Sequence, residues 1–285
     1  MPKKVFICSD STCDLGEELI RRYDVQILPL GVNLGEKLYT DGVDIDPDTI
    51  YSHYEQTGEL PKTSAVNVDE FMTLFERYAK EDASVVVFTI SSEMSSTFNN
   101  ARLAAQEFED VHVVDTRNLS TGGGLLVITA AEMAQEGRSA AEIAAACEEI
   151  AANVDASFVI DNLEYLHKGG RCTALAALGA NLLKLKPCIM VRGGKMGVGK
   201  KYRGQFGAVL EKYVADMVGD GAGIRKDHIF VTHAGCDEAI VKQCVSQVKK
   251  LGVFKEIHVT RAGCTVSSHC GRNTLGVLFI RESAV

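Results

Sequence analysis

The stretch Val85-Val-Val-Phe-Thr-Ile90, followed directly by Ser91-Ser-Glu-Met-Ser-Ser-Thr97, decides the fold of this chain. The first part is a continuous apolar, β-branched run, which predicts a strand buried on both faces. From Asn99 to Ala104 the apolar residues recur at helical spacing. The hydroxyl-rich part therefore lies between a strand and a helix, where unpaired backbone N–H groups favour a small anionic group such as a carboxylate or a phosphate. Simple capping of the helix by serine or threonine explains the same pattern equally well.

The segments on either side of this stretch alternate between strand and helix patterns. Val5–Cys8 predicts the first strand, and Ser157–Asp161 opens a second half that alternates again. Alternation of this kind is typical of an α/β fold, with a mainly parallel sheet in its first part. We expect two α/β domains, residues 1–155 and 156–285, with residues 58–80 able to pack on the second domain.

Helix boundaries are marked clearly at three places. Asp46 before Pro47 predicts a helix start, and Gly58 predicts the end of the same helix. The capping boxes Asn67-x-x-Glu70 and Ser139-x-x-Glu142 predict two further helix starts.

Three other segments carry more specific expectations. Gln26–Leu34 predicts a strand that Pro29 restricts to a sheet edge or a bend. The small-residue segment Ala174–Leu183 predicts a buried helix, because it is apolar on most faces. Gly193–Gly199 predicts a hairpin; it fits part of the frame of a phosphate loop, but Lys201 stands where the magnesium-binding serine or threonine is needed.

The overall composition excludes several classes of protein. A formal net charge of −8 argues against binding to nucleic acid, which needs a basic surface. No apolar run reaches the roughly 18 residues that span a bilayer, and the first residues lack a signal peptide, so we expect a cytoplasmic protein without stable membrane insertion. The nine cysteines are scattered and include no Cys-x-x-Cys pair, which favours reduced thiols in the core.

Further polar groups stand next to structural breaks in the sequence. They are Thr63 and Ser64 in an extended linker, Arg171 after a Gly-Gly helix end, and His269 before the last strand. Each has an ordinary structural explanation, since a hydroxyl can start a helix, a cation is favourable at a helix C-terminus, and a lone histidine is usually structural. With the hydroxyl turn they form a set of neutral hydroxyls, one cation and one imidazole, all expected on loops. Such a set suits holding a carboxylate better than reacting with it, because no general base is paired with a nucleophile.

Two chemical alternatives are weaker on sequence grounds. An acyl hydrolase with Ser95 as nucleophile and His269 as base is the alternative function, although Ser95 lacks the flanking glycines of a nucleophile elbow. Cys264, His269 and Cys270 offer metal-binding atoms, but a fourth ligand at a recognisable spacing is missing. We therefore predict no metal site and no cofactor.

Short motifs are spread along the whole chain, from about residue 5 to residue 280. They are Asp10-Ser-Thr-x-Asp14, Pro61-Lys-Thr-Ser64, Ser91-Ser-x-x-Ser95, Leu163-x-Tyr-Leu-x-Lys-Gly-Gly-Arg171, Arg203-Gly204 and His269-x-Gly271. Each motif is weak alone, but the ordered set resembles the DegV family, the bacterial fatty acid-binding proteins.

The resemblance implies a ligand cleft between two α/β domains that holds one long-chain fatty acid. In that family the carboxylate is hydrogen-bonded by groups that match Thr63 and Ser95. The family's arginine after Gly-Gly and its late histidine, which complete the polar surroundings, match Arg171 and His269. We expect Ser64 and Ser96 to belong to the same polar shell. Some members present the acid to a separate fatty acid kinase, which forms an acyl phosphate, and Arg203 matches an arginine associated with that partnership. The resemblance therefore implies a lipid-binding protein rather than an enzyme.

Five positions depart from the family pattern, and two of them are Ala65-Val66, which replaces the common Gln-Pro after Thr-Ser. Ser96 stands where glycine is usual, and Arg272-Asn273 replaces the usual Pro-Gly. We expect Ser96 to tighten the turn or offer a further hydroxyl, and Arg272 to alter access to the head group. Asn273 can adopt a positive φ, at a higher cost than glycine would.

Overall fold

The structure is a computed structural model that describes residues 3–173 and 185–282. The first half of the chain contains, in order, β1 (Val5–Asp10), α1 (Glu17–Arg22), β2 (Gln26–Leu28), β3 (Gly31–Leu34), β4 (Lys37–Thr40), α2 (Pro47–Thr57), β5 (Lys62–Ser64), α3 (Val68–Lys80), β6 (Ser84–Thr89), α4 (Thr97–Ala105), β7 (Val111–Asp115), α5 (Thr121–Gln135) and α6 (Ala140–Ala151). The second half contains β8 (Val154–Ile160), α7 (Glu164–Gly169), β9 (Lys186–Arg192), β10 (Lys195–Tyr202), α8 (Phe206–Val218), β11 (Ile224–Ala234), α9 (Glu238–Lys250), β12 (Glu256–Arg261), α10 (Cys264–Cys270) and β13 (Thr274–Arg281). The predicted starts of α2, α3 and α6 are confirmed, because Asp46, Asn67 and Ser139 each cap the helix that follows.

The first sheet is parallel throughout and has the strand order β2-β1-β6-β7. Its inner strand β6 is buried at every position, as the apolar run predicts. Helices α3 and α4 cover one face, where Phe71 and Phe75 share an apolar cluster with Val85 and Val87. The expected parallel α/β sheet in the first half is confirmed.

The second sheet has six strands in the order β10-β9-β8-β13-β11-β12. The pair β11 and β12 is parallel, whereas the other described pairs of this sheet are antiparallel. Helices α8 and α9 cover the outer face, where Tyr213 and Val241 share a cluster with Val277. The predicted hairpin at Gly193 is confirmed as the turn between β9 and β10.

Helix α5 fills the layer between the two large sheets and is buried along most of its length. Its Leu126 belongs to one apolar cluster with Ile7 of the first sheet and Phe158 of the second. Glycine at its first turn allows this close packing, since a Cβ at Gly124 would lie 2.7 Å from the carbonyl oxygen of Cys13. The layers therefore follow the order helix, sheet, helix, sheet, helix.

A small antiparallel sheet, β4-β3-β5, lies outside the sequence-based predictions. Pro29 separates β2 from β3, so the single strand predicted over Gln26–Leu34 is divided between two sheets. The segment predicted as an extended linker pairs with β3 as strand β5, with Thr63 opposite Val32. This pairing fixes the backbone of Thr63.

Some sequence-based expectations are wrong or untested. His269 lies on helix α10 and Thr63 on a strand, so the expectation that all the polar candidates lie on loops is wrong. The predicted helix Ala174–Leu183 lies outside the described residues. The division into domains at residue 155 and the packing of residues 58–80 stay predictions.

Two properties of the whole chain also bear on the predictions. Eight of the nine cysteines are buried and Cys236 is half-buried, which agrees with thiols that fill the core. Across residues 3–173 and 185–282, no helix is both long enough and apolar enough to cross a membrane.

Candidate functional site

A cavity of about 370 Å³ brings together six of the predicted polar residues. They are Thr63, Ser64, Ser95, Ser96, Arg171 and His269. Its walls come from β5, from the turn after β6, from β8 and β10 of the second sheet, and from α10. A volume of this size is typical of a site for a small organic ligand.

Thr63 and His269 form one side of the polar end of the cavity. Thr63 Oγ1 and His269 Nε2 are 3.0 Å apart. Burial, with a smaller contribution from the charge of Arg171, lowers the pKa of His269 to about 4. The imidazole is therefore neutral at pH 7.

The second ring nitrogen of His269, Nδ1, explains why residue 169 is glycine. His269 Nδ1 is buried and has no hydrogen-bond partner among the described residues. It faces Gly169, where a Cβ would lie only 2.6 Å away. Because a proton on Nδ1 would find no hydrogen-bond acceptor, the proton of a neutral ring is most stable on Nε2. Nε2 then donates a hydrogen bond to Thr63 Oγ1. That arrangement leaves the hydroxyl proton of Thr63 available to a ligand.

Ser95 also lines the cavity, from the turn that leads into α4. Its Oγ is 2.9 Å from Thr97 Oγ1 and accepts a hydrogen bond from the Thr97 backbone N–H at 3.2 Å. The ordinary capping explanation is therefore realised in part. When Thr97 donates its hydroxyl proton to Ser95, the Ser95 hydroxyl can still donate its own proton into the cavity.

Apolar side chains line the rest of the cavity. They are Leu30, Ile90, Met94, Leu119, Phe158, Leu166, Met196 and Val266. A second cavity of about 30 Å³ adjoins it, with Leu119, Phe158, Val266 and Cys270 common to both. The lining of the small cavity includes Ala234, Ala262 and Gly276. The site thus combines one polar end with an apolar interior.

The polar end is open to solvent. Ser64, Ser96 and Arg171 are exposed, although all three line the cavity. Arg171 donates a hydrogen bond to the carbonyl oxygen of Gly169 at 2.8 Å, which holds the guanidinium near the helix end that approaches His269. A molecule in solution can therefore reach a head group bound there.

Two buried aspartates hold the helix that carries His269. Asp41 accepts hydrogen bonds from the backbone N–H groups of Cys264 (2.8 Å) and Thr265 (3.1 Å). Asp14 accepts one from Gly263 N–H at 2.8 Å, and burial raises the pKa of Asp14 to about 8. The motif Asp10-Ser-Thr-x-Asp14 signalled the importance of Asp14, whereas nothing in the sequence pattern pointed to Asp41.

The other positions named from the sequence lie elsewhere. Arg203 is exposed and lines a separate cavity of about 630 Å³ with Lys200, Lys201 and Lys212. Arg272 lies 3.7 Å from Asp48, 3.6 Å from Glu55 and over the ring of Tyr51, outside the lining of the main cavity. Asn273 has φ 56°, the positive value that the sequence allows for.

The geometry can also be compared with the two chemical alternatives. Ser95 is hydrogen-bonded to Thr97, and His269 to Thr63, so the Ser95–His269 pair of the alternative hydrolase is not formed. Cys264, His269 and Cys270 do not form a group of potential metal ligands. Such a group exists at His228, Glu256 and His258, but the two imidazoles are hydrogen-bonded to each other at 3.0 Å and Arg22 binds both oxygens of Glu256.

Fold and cavity together define a class of protein: an α/β protein of two large sheets, with an apolar cavity that ends in hydroxyl groups. Comparison with known proteins identifies the family. A sequence model described as "Uncharacterised protein, DegV family" matches residues 4–282, and the chain belongs to the DegV family.

Individual relatives agree with this assignment. A DegV domain-containing protein of Clostridium acetobutylicum is 33% identical over 98% of this chain and 99% of its own length. One solved structure is that of a DegV family protein from Thermus thermophilus, which is described as binding fatty acid. It has a TM-score of 0.90 and 31% identity, over 98% of this chain and all of its own. A stearic acid-binding protein from Eubacterium ventriosum has a TM-score of 0.83 and 28% identity over 99% of this chain and 98% of its own.

Proposed function

We propose that this protein binds one long-chain fatty acid in the main cavity, with the carboxylate held by Thr63 and Ser95. The observation that carries the proposal is the cavity itself, in which an apolar interior ends at a cluster of hydroxyl groups. The fatty acid binding described for the Thermus and Eubacterium proteins supports it. The role is binding rather than catalysis, because Ser95 is hydrogen-bonded to Thr97 and not to His269. His269 does contact the hydroxyl of Thr63, but burial lowers the pKa of the imidazole to about 4, which makes it a weak base.

The hydrocarbon chain supplies most of the affinity. Each buried methylene contributes about 0.8 kcal/mol, so a dozen contribute roughly 10 kcal/mol before the cost of association. The carboxylate needs hydrogen-bond donors so that its charge is not buried unpaired. Thr63 and Ser95 each have one proton to offer, and the exposed guanidinium of Arg171 places a positive charge near the same end.

The far end of the fatty acid's hydrocarbon chain points toward the small cavity behind Phe158. Leu119, Phe158, Val266 and Cys270 form the partition between the two cavities. Rotation of the Phe158 side chain would join them and lengthen the apolar channel. The small residues at the end of this channel, such as Ala234 and Ala262, would then set the length of the fatty acid that fits.

Presentation of the head group to a separate kinase completes the proposed role. The carboxylate lies at the open end of the cavity, where Ser64, Ser96 and Arg171 are exposed. A carboxylate oxygen would attack the terminal phosphorus of a nucleoside triphosphate held by the kinase, giving an acyl phosphate and a nucleoside diphosphate. The basic surface that includes Arg203 and three lysines is suited to contact an acidic face of such a partner.

Ligand identification tests the binding proposal directly. Organic extraction of the protein purified from cells, followed by mass spectrometry, should release one long-chain fatty acid per chain. Thr63→Ala and Ser95→Ala should each weaken binding by about 1–3 kcal/mol, whereas Ser246→Ala, on the exposed side of α9, should have no effect. Protein that is always empty, and that binds no fatty acid when offered it, would refute the proposal.

A further inference from the structure

The turn between β9 and β10 reaches from the second sheet to the hydroxyl turn of the first. Ser91 Oγ donates a hydrogen bond to the carbonyl oxygen of Gly194 at 2.8 Å. The Arg117 guanidinium donates one to the carbonyl oxygen of Gly193. Lys195 and Glu93 form an ion pair at 3.2 Å beside them. We call the turn Gly193–Gly194 the clasp, because it joins the two sheets next to the cavity.

Ser91 links the clasp to the residue expected to hold the carboxylate. Ser91 is fully buried, and its backbone N–H donates to the carbonyl oxygen of Asn118 at 2.9 Å. Its own carbonyl oxygen accepts hydrogen bonds from the N–H groups of Met94 (2.9 Å) and Ser95 (3.2 Å). A displacement of Ser91 must therefore displace Ser95.

The close approach of the clasp depends on glycine. Gly194 has φ +84°, and a Cβ there would lie 2.7 Å from Ser91 Oγ. Two residues further along, Met196 lines the cavity, where Met94 also contributes. The same hairpin thus contacts the head-group turn at its tip and the apolar interior along its strand.

We propose that Ser91 is a positioning residue and that the clasp holds the Ser91–Ser96 turn in the conformation that binds a carboxylate. Recognition of the head group then depends on contact between the two sheets, because the hydroxyl of Ser95 is aligned only while Ser91 is bonded to Gly194. The inference rests on the proposed function and adds residues that do not themselves line the cavity.

The ratio of two affinities separates positioning from general stability. Tetradecanoic acid and 1-tetradecanol have the same chain, and only the acid needs the aligned turn. Both would be measured by displacement of fluorescent trans-parinaric acid from wild type, Ser91→Ala, Gly194→Ala and Arg117→Ala. Gly197→Ala is the matched control, since it lies in the same hairpin and its Cβ would meet nothing within 4 Å.

We expect the preference for the acid over the alcohol to fall about tenfold in Ser91→Ala and Gly194→Ala, as for the loss of one hydrogen bond to a charged group. Arg117→Ala removes a surface side chain, so it reports on the clasp even where a buried substitution prevents folding, and its ratio should fall as well. An unchanged ratio, or equal losses for acid and alcohol, would overturn the positioning role. Wild-type protein that binds neither compound would instead overturn the proposed function on which it rests.

Discussion

Replacement of Gly169 by alanine tests the contact that orders the polar end of the cavity. A Cβ at this position would lie 2.6 Å from His269 Nδ1, about 0.8 Å inside ordinary contact. The ring cannot move directly away from it, because His269 Nε2 is already at hydrogen-bond distance, 3.0 Å, from Thr63 Oγ1. The imidazole must therefore tilt, which bends or breaks that bond.

The magnitude follows from three opposing terms. Loss of the hydrogen bond costs about 0.5–1.5 kcal/mol, and overpacking costs about 1–3 kcal/mol. Alanine in place of glycine in a helix stabilises the folded state by up to about 1 kcal/mol. We expect Gly169→Ala to lower the free energy of unfolding by about 1–3 kcal/mol and to weaken fatty acid binding by about five- to tenfold.

The double-mutant cycle with His269→Ala gives the decisive comparison. Without the imidazole the new methyl group has no clash, so Gly169→Ala should become neutral or stabilising by up to about 1 kcal/mol. Denaturant unfolding of the four proteins measures the coupling, and displacement of trans-parinaric acid measures binding. An equal effect of Gly169→Ala with and without His269 would refute the contact as the reason for this glycine.

Three further predictions address chain length and pH. Ala262→Leu should fill the small cavity and shift the preferred fatty acid to one two or three methylenes shorter, as measured by competition among acids of 12 to 18 carbons; Ala215→Leu, on the exposed face of α8, should leave the preference unchanged. The pKa of His269 is lowered to about 4 from 6.5, so between these pH values the unfolded chain binds a proton that the folded chain does not. The stability of wild type relative to His269→Gln should therefore decrease by up to about 1.4 kcal/mol per pH unit as pH falls from 6.5 to 4. Asp14 has a pKa raised to about 8 from 3.8, so the sign reverses and the stability of wild type relative to Asp14→Asn should decrease as pH rises from 4 to 8. A flat difference over either pH range in unfolding titrations would contradict the corresponding environment.

Much of the fold could be predicted because local signals and tertiary structure agree. The apolar run Val85–Ile90 became an inner parallel strand, and the capping boxes at Asn67 and Ser139 start helices α3 and α6. The third sheet was missed because β5 has only three residues and its pairing with β3 is non-local. A strand that short carries no periodic pattern.

The polar residues that line the candidate site were named from the sequence, but the helix and the capping groups that hold them in place were not. Thr63, Ser95, Arg171 and His269 all line one cavity. Helix α10 was not predicted, because its N-terminal N–H groups are capped by Asp14 and Asp41 from the other end of the chain rather than by a neighbouring residue. Local capping rules cannot detect partners more than 200 positions away.

The burial of helix α5 by both large sheets has a consequence for any attempt to divide this protein. Leu126 of α5 shares one apolar cluster with Ile7 of the first sheet and Phe158 of the second, so a fragment that ends near residue 155 would expose apolar surface of α5 to water. Such a fragment should aggregate or remain partly unfolded, and the complementary fragment would lack the cover for its inner face. We therefore expect the two halves of this chain to unfold in one cooperative transition, and a protease that cuts between α6 and β8 to act mainly on partly or fully unfolded protein.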